Sequence, residues 1–181
     1  MNVLIPVADG SEEMEVVIVV DTFRRAKWNV VIASLGIGAI RASRGVQLMP
    51  DAAWADVIPD DFDMLVIPGG GDGVTALAKD KRLLATARAF MANGKWVAAI
   101  CAGPLVLQAA GVLQGRRVTC HPGVAGELTQ TPRLNDRVVV DGRLITSQAP
   151  GTAIEFTLAI IRAVEGDRKA NELAKAMVVN I

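Results

Sequence analysis

Residues 1–17 read MNVLIPVADGSEEMEVV and combine an apolar run, a turn and the start of a helix. Val3 to Ile5 is the continuous apolar run that is typical of a buried strand. Residues 9–11 (Asp-Gly-Ser) favour a turn, and the two glutamates that follow suit the first turn of a helix. We therefore predict a strand, a turn and a helix that extends to about Lys27.

The same order of strand, turn and helix recurs along the chain. Further strands are predicted at residues 29–35, 63–67, 96–100 and 117–120, with irregular strands between 40 and 51 and a hairpin around Asp141-Gly142. Further helices are predicted from the glycine-rich loop at 69–73 to about residue 92, and at 104–110, 152–164 and 169–177. Short apolar strands that alternate with helices form a mainly parallel sheet with both faces covered. The pattern indicates one α/β domain spanning residues 1–181.

The composition excludes several classes of protein and partner. Hydrophobic residues make up 51% of the 181-residue chain, which is too many for a disordered protein. The 19 basic and 19 acidic residues balance, and without a basic run we expect no nucleic-acid partner. Two cysteines are too few for a disulfide framework, and no apolar stretch has the length of a signal peptide or membrane span. We expect a reduced, cytoplasmic protein without membrane contact, whose partner is a small molecule or another protein.

Cys101 is a candidate nucleophile. Ligands of parallel sheets bind beyond the carboxyl ends of the strands, where we expect residues 8–15, 69–73 and 100–104. Cys101 directly follows a strand and precedes Ala-Gly-Pro, which opens a helix. A helix N-terminus lowers the pKa of a thiol, and the thiolate is the reactive form. The alternative is a small buried apolar side chain, which describes most free cysteines.

Glu15 lies in the otherwise apolar run at residues 14–20, on the helix face that packs inward. A buried carboxylate is costly unless it is paired, or unless its pKa rises until it holds a proton. A protonated Glu15 is expected to donate a hydrogen bond to the Cys101 thiolate and to move protons for a substrate. The alternative, a solvated acid in the first helical turn, suits Glu12 and Glu13 better.

His121 is the only histidine and follows the strand predicted at 117–120. It is a candidate second proton carrier, although a lone histidine is more often structural. Strand alternation points Cys120 and His121 to opposite faces. Two cysteines and one histidine at these spacings do not make a zinc site, so no metal is expected.

Three further features have both functional and structural interpretations. The loop at 69–73 matches no nucleotide-binding motif, but its glycines allow backbone N–H groups to approach an oxyanion beside Cys101. The same glycines also suit tight turns without a function. Arg44 is a candidate for binding an anion, or a solvated turn residue. Glu155 is assigned to structure, because residues 152–155 (Thr-Ala-Ile-Glu) fit a capping box.

Four motifs resemble the ThiJ/PfpI superfamily and occur in the order found in that family. They are ADGSEEME at residues 8–15, PGG at 68–70, AAICAGP at 98–104 and PGT at 150–152. More narrowly, they resemble the Parkinsonism-associated deglycase branch, which includes bacterial thiol-stress chaperones and plant glyoxalases. The resemblance covers nearly the whole chain. It implies a flavodoxin-like three-layer fold, similar to class I glutamine amidotransferases, usually as a homodimer and without a cofactor.

The resemblance also implies roles for individual residues. Cys101 would be the oxidation-prone nucleophile, Glu15 the protonated acid and His121 the site histidine, while the backbone of Gly69, Gly70 and Ala102 would form the oxyanion pocket. Asp21 aligns with an acid that helps to orient the histidine.

The chain departs from related branches at three positions. Ala102 stands where the protease-like branches have histidine, which argues against a Cys-His peptidase dyad. Ala42 and Met49 stand where animal members have two further cysteines, so any redox chemistry is expected to centre on Cys101. Cys120 is unusual for the branch and is a second candidate for oxidation.

Together, the residues and the resemblance predict a cofactor-independent glyoxalase or deglycase that acts on methylglyoxal, related α-oxoaldehydes or their early adducts. Cys101 would attack the aldehyde, and Glu15, alone or with His121, would move protons. The alternative is a redox sensor or stress chaperone in which Cys101 is oxidised to a sulfinate. A third hypothesis, a nucleotide-binding flavodoxin-like module, predicts bound flavin.

Overall fold

A seven-stranded sheet with helices on both faces forms the fold of residues 1–180, which the computed structural model describes. The strands are β1 (Asn2–Val7), β2 (Asn29–Ser34), β3 (Ile40–Arg41), β4 (Gln47–Leu48), β5 (Ala52–Ala53), β6 (Met64–Ile67), β7 (Trp96–Ile100), β8 (Val138–Asp141) and β9 (Leu144–Ser147). The helices are α1 (Glu13–Arg25), α2 (Gly71–Leu77), α3 (Lys81–Ala92), α4 (Pro104–Ala109), α5 (Ala153–Glu165) and α6 (Asp167–Ala176). None of the helices within these 180 residues has the length and apolar character needed to cross a membrane.

The central strands run parallel and bring their carboxyl ends to one edge. The strand order is β5-β2-β1-β6-β7-β9-β8, while β3 and β4 form a separate pair within the segment predicted to be irregular. Val3 of β1 pairs with Val30 of β2 on one side and with Met64 of β6 on the other. β8 runs antiparallel to β9 in the predicted hairpin, where Gly142 has a φ of +62° that suits glycine.

Two apolar clusters lie on opposite faces of the sheet. Side chains alternate along β1, so that Val3 and Ile5 belong to one cluster and Leu4 to the other. Helices α1, α5 and α6 cover the first face, and α2, α3 and α4 cover the second. The central strands are apolar throughout because both of their faces are covered. This is the predicted flavodoxin-like α/β fold with three layers.

The strand predicted at 117–120 is wrong. In this segment only Val118 pairs with another part of the chain, through a single parallel bridge to Arg133. The place beside β7 is taken by β9, so the segment is held by single hydrogen bonds, such as that from Thr119 N–H to Thr146 Oγ1 at 2.9 Å. A run of β-branched and apolar residues predicts a strand from its own sequence, but it cannot show whether a sheet edge is free to pair with it.

Two helix predictions also need correction. The helix predicted up to residue 92 is two helices, because Asp80 Oδ1 accepts a hydrogen bond from Leu83 N–H at 2.7 Å and caps the start of α3. The capping box predicted at 152–155 is wrong, since the Thr152 side chain does not cap α5. Glu155 instead forms an ion pair with Arg137 at 2.7 Å, which keeps its role structural.

Candidate active site

Cys101 occupies a sharp turn between β7 and α4. Its φ of +63° is unusual for a residue with a side chain and costs about 1–2 kcal/mol. Gly103 N–H closes the turn by donating to Ile100 O at 2.8 Å. A Cβ at Gly103 would lie 2.6 Å from the Ile67 carbonyl oxygen, so the turn requires glycine at this position. The turn places Cys101 at the carboxyl edge of the sheet.

Glu15 lies in the first turn of α1 and is completely buried, as its apolar neighbours predict. One carboxyl oxygen, Oε2, accepts a hydrogen bond from Gly69 N–H at 2.7 Å. The other oxygen, Oε1, has no hydrogen-bond partner among the described residues. A buried carboxyl group with few donors around it favours the form that carries a proton.

Glu15 and Cys101 meet beside Gly69. A Cβ atom at Gly69 would lie 2.5 Å from Cys101 Cβ, 2.8 Å from Glu15 Oε2 and 2.9 Å from Cys101 Sγ. The two side chains therefore lie side by side, and each shifts the pKa of the other. The first helix and the end of β7 therefore come together where glycine leaves the necessary space.

The pair titrates far from the ordinary values of its two groups. Burial raises the pKa of Glu15 from 4.5 to about 7, although hydrogen bonds from Gly69 and Cys101 act in the opposite direction. Burial, followed by the charge and hydrogen bond of Glu15, raises the pKa of the Cys101 thiol from 9.0 to about 12. The lowered thiol pKa that the sequence predicted is wrong in direction, because these effects outweigh the N–H groups of Ala102 and Gly70. Between the two pKa values, the pair holds one proton.

The three backbone N–H groups predicted to bind an oxyanion have different partners. Those of Gly70 and Ala102 act on Cys101, where they lower the pKa of the thiol against the larger effect of burial. That of Gly69 is engaged with Glu15 Oε2 and is not free for an oxyanion while this bond is present. Gly70 has a φ of +93°, and a Cβ there would collide with the Gly10 carbonyl oxygen, so the turn depends on glycine.

His121 is tied to the site through its backbone and its ring. Its N–H donates to the Cys101 carbonyl oxygen at 2.9 Å, and its ring Nδ1 accepts a hydrogen bond from Gly123 N–H at 3.0 Å. Cys120 is completely buried in the apolar cluster beneath α2, α3 and α4, as strand-like alternation with His121 predicts. Asp21 was expected to orient the histidine, but it is half exposed and pairs with Arg25 at 2.6 Å.

Cys101 lines a cavity of about 270 Å³, and Glu15 lies buried behind it. The cavity is lined by Glu12, Ser43, Arg44, Gly70, Gly71, Cys101, Ala102, His121, Val124 and Pro150. Pro150 lies just after β9, so its place in the site is predictable from the rule that ligands bind beyond the carboxyl ends of the strands. Ser43 lies on a loop and Val124 in a short 3-10 helix (Pro122–Glu127), and only the folded chain brings them to the cavity. Among residues 1–180, no group of three or more His, Cys, Asp or Glu side chains is arranged to hold a metal ion.

Glu12 and Glu13 attach the loop that carries Arg44 to the start of α1. Both acids were expected to be solvated, but both are buried. They accept hydrogen bonds from the Ser43 hydroxyl at 2.5 Å and 2.8 Å, respectively, and Glu13 also accepts one from Arg44 N–H at 2.9 Å. These contacts place the exposed Arg44 side chain on the cavity wall.

The fold is a flavodoxin-like sheet. Its site consists of a cysteine at a strand-to-helix turn and a buried acid beside it, which is the arrangement of α/β proteins with a reactive cysteine. The sequence model of the DJ-1/PfpI family matches residues 1–163, and the chain belongs to this family. It is 41% identical over 180 residues to Protein DJ-1 homolog B of Arabidopsis thaliana, covering 98% of this chain but only 41% of that protein's length. The chain thus spans less than half of this longer relative.

Two further comparisons cover both proteins almost completely. The chain is 37% identical over 177 residues to the glutathione-independent glyoxalase DJR-1.2 of Caenorhabditis elegans, covering 97% of this chain and 94% of that protein. The crystal structure of Drosophila melanogaster DJ-1beta matches with a TM-score of 0.95 and 40% identity, covering 99% of this chain and 98% of that one. The fold predicted from the sequence is therefore the fold of the family.

Proposed function

We propose that the protein is a cofactor-independent glyoxalase that converts methylglyoxal-type α-oxoaldehydes to hydroxy acids, and that it also acts on their early adducts. The observation that carries this proposal is that the buried Glu15 lies beside Cys101, which lines an open cavity. A nucleophile and a proton carrier are the two groups that this isomerisation needs. The glyoxalase name of the nematode relative supports the same class.

The first step is addition of Cys101 to the aldehyde. The sulfur forms a bond to the aldehyde carbon, and the electron pair of the C=O double bond moves to the oxygen. That oxygen takes the proton that the pair holds, through Glu15, and the product is a hemithioacetal. The N–H groups of Gly70 and Ala102, which lower the pKa of the Cys101 thiol, would stabilise negative charge beside the sulfur.

The second step moves hydrogen between the two carbons. Glu15, now ionised, removes the proton from the former aldehyde carbon, and the electrons form an enediolate with the neighbouring carbonyl group. Glu15 then returns the proton to the second carbon, while the hydroxyl proton of the first carbon leaves to water and the second oxygen takes one from water. Water cleaves the resulting thioester to release the hydroxy acid and the thiol, so the overall reaction adds one water and is redox-neutral.

Deglycation would use the same nucleophile. In an early adduct, the aldehyde carbon carries a hydroxyl group and an amine or thiol. Cys101 would displace that amine or thiol, which leaves with a proton from Glu15, and the same hemithioacetal would result. The two activities therefore share every residue of the site.

The proposal is tested by lactate release from methylglyoxal in a preparation free of glutathione and of other glyoxalases. We expect stereospecific D- or L-lactate from the unsubstituted protein and a loss of about 100-fold or more in Cys101→Ser and in Glu15→Gln. Cys120→Ser is the matched control, because Cys120 is buried away from the cavity, and it should keep its activity. Equal, slow and non-stereospecific lactate formation in all four proteins would refute the proposed glyoxalase activity.

The second candidate function is a redox sensor or stress chaperone in which Cys101 forms a sulfinate. It is favoured by the contrast between the two thiols, since Cys101 opens to the cavity while Cys120 is completely buried. Graded peroxide followed by mass spectrometry should add two oxygens to Cys101 before Cys120 reacts. Oxidation of both cysteines at the same dose would count against it. If only the reduced protein turned over substrate, the enzymatic function would be favoured, and oxidation of Cys101 would be its inactivation.

A further inference from the structure

The ring of His121 is held in one tautomer by the backbone. Gly123 N–H donates a hydrogen bond to Nδ1 at 3.0 Å. An amide N–H can only donate, so Nδ1 must present a lone pair and carries no proton. In a neutral imidazole, the single proton is then on Nε2.

The position of the ring is fixed from both sides. His121 is the first residue of the short turn at Pro122–Glu127, and its side chain caps that turn through Gly123. A Cβ on Gly123 would lie only 3.0 Å from Nδ1 and 3.2 Å from Cε1, so the ring packs against the bare glycine backbone. The backbone N–H of His121 is in turn bound to the Cys101 carbonyl oxygen. The imidazole therefore keeps a constant relation to the cysteine turn.

We infer that His121 serves the site as a hydrogen-bond donor through Nε2–H and not as a base. In this arrangement Nε2 carries the proton of the ring, and Nδ1 is occupied by the hydrogen bond from Gly123 N–H. His121 lines the same cavity as Cys101, and we assign its Nε2–H to an acceptor oxygen of a substrate bound there. This inference deepens and rests on the proposed function, because the acceptor is the second carbonyl oxygen of the α-oxoaldehyde, which gains charge in the enediolate.

In this mechanism Glu15 and His121 have different roles. Glu15 alone moves the proton between the two carbons, and His121 keeps its own proton throughout. The substrate class follows from the same geometry: a compound with an acceptor oxygen on the carbon next to the aldehyde benefits from the donor, and a simple aldehyde does not.

The tautomer is tested directly by nuclear magnetic resonance, since His121 is the only histidine in the chain. Protein labelled with 15N-histidine should give one pair of ring nitrogen signals at about pH 8, above the ordinary histidine pKa of about 6.5. We expect the signal of an unprotonated nitrogen for Nδ1 and that of a protonated nitrogen for Nε2, assigned by their couplings to the ring carbon-bound protons. A protonated Nδ1 overturns the inference whatever the activity.

The donor role is tested by two substitutions. His121→Gln offers an amide N–H that does not titrate, whereas His121→Phe has a similar ring without a donor. We expect kcat for methylglyoxal to stay within about tenfold in the Gln variant and to fall by about 100-fold or more in the Phe variant. Equal losses in two folded variants would refute the donor. If the unsubstituted protein produces no lactate, the proposed function fails and the assigned catalytic role of His121 fails with it, while the resonance experiment decides the tautomer alone.

Discussion

Glu15 and Cys101 lie side by side at Gly69, where a Cβ atom would lie 2.8 Å from Glu15 Oε2 and 2.9 Å from Cys101 Sγ, so no side chain could occupy this space. The carboxyl group comes from the first turn of α1 and the thiol from the turn after β7. Burial raises the pKa of both groups, and the charge of Glu15 further raises the pKa of Cys101, so the pair shows two widely separated titrations. The following predictions test this pair and the surfaces around it.

Glu15→Gln should change how stability depends on pH. The folded state holds the Glu15 proton more tightly than the unfolded chain, because burial raises the pKa from 4.5 to about 7. This contribution is complete below about pH 4.5 and is lost as the pH rises through about 7. We expect the unfolding free energy of Glu15→Gln, relative to the unsubstituted protein, to rise by about 3 kcal/mol between pH 4.5 and pH 8.

Urea unfolding at the two pH values measures this difference. Glu172→Gln, which replaces an exposed acid of α6, is the control and should show no such change. If the unfolding free energies of Glu15→Gln and the unsubstituted protein differed by the same amount at both pH values, the pKa of Glu15 would not be raised by folding.

The same substitution should make Cys101 more reactive towards an alkylating agent while it abolishes turnover. After burial, the charge of Glu15 is the largest cause that raises the pKa of the Cys101 thiol to about 12. Removing that charge lowers this pKa, and a fall of one unit gives about tenfold more thiolate at pH 8. Iodoacetamide labelling of Cys101, followed by mass spectrometry in a Cys120→Ser background, measures the rate. Equal or slower labelling would contradict the electrostatic coupling.

Gly69→Ala should damage the site, whereas Gly71→Ala should not. A Cβ at Gly69 would lie 2.5 Å from Cys101 Cβ, while a Cβ at Gly71 meets nothing within 4 Å. We expect Gly69→Ala to lose about 1–3 kcal/mol of stability and most of the activity, because the Glu15–Cys101 contact must open. Gly71→Ala should be neutral or slightly stabilising at the start of α2. Thermal unfolding and lactate release are measured on both variants. Equal stability and activity of Gly69→Ala and Gly71→Ala would contradict the close packing at Gly69.

A homodimer is implied by the resemblance and stays a prediction. Three exposed apolar side chains, Met14, Val17 and Met49, lie along α1 and the β3–β4 pair, and the last two line one groove. We expect a second copy of the chain to cover this surface, so Val17→Asp should give a monomer in sedimentation experiments. Ile58→Asp, an exposed apolar position away from this groove, should remain dimeric. A monomeric unsubstituted protein would refute the homodimer, and a dimeric Val17→Asp would refute this surface.

Local patterns predicted most of the fold because they record which faces of each element are covered. The alternation of apolar runs with turns identified the central strands, and the apolar neighbours of Glu15 predicted its burial correctly. The same patterns failed at 117–120, where the run suits a strand but β9 already occupies the neighbouring edge. They also failed at Asp80, whose capping hydrogen bond to Leu83 divides one predicted helix into two.

The sequence by itself determined the α/β architecture, the turn that carries Cys101 and the burial of Glu15, since each follows from residues close together in the chain. Only the tertiary structure decided the direction of the Cys101 pKa, the engagement of Gly69 N–H with Glu15 and the entry of Ser43 into the cavity wall. The physical reason is that desolvation and Coulomb energies depend on distances between segments far apart in the sequence. A helix N-terminus can be recognised from four residues, but the burial of Cys101 and the charge of Glu15, which together outweigh it, arise only when α1 packs beside β7.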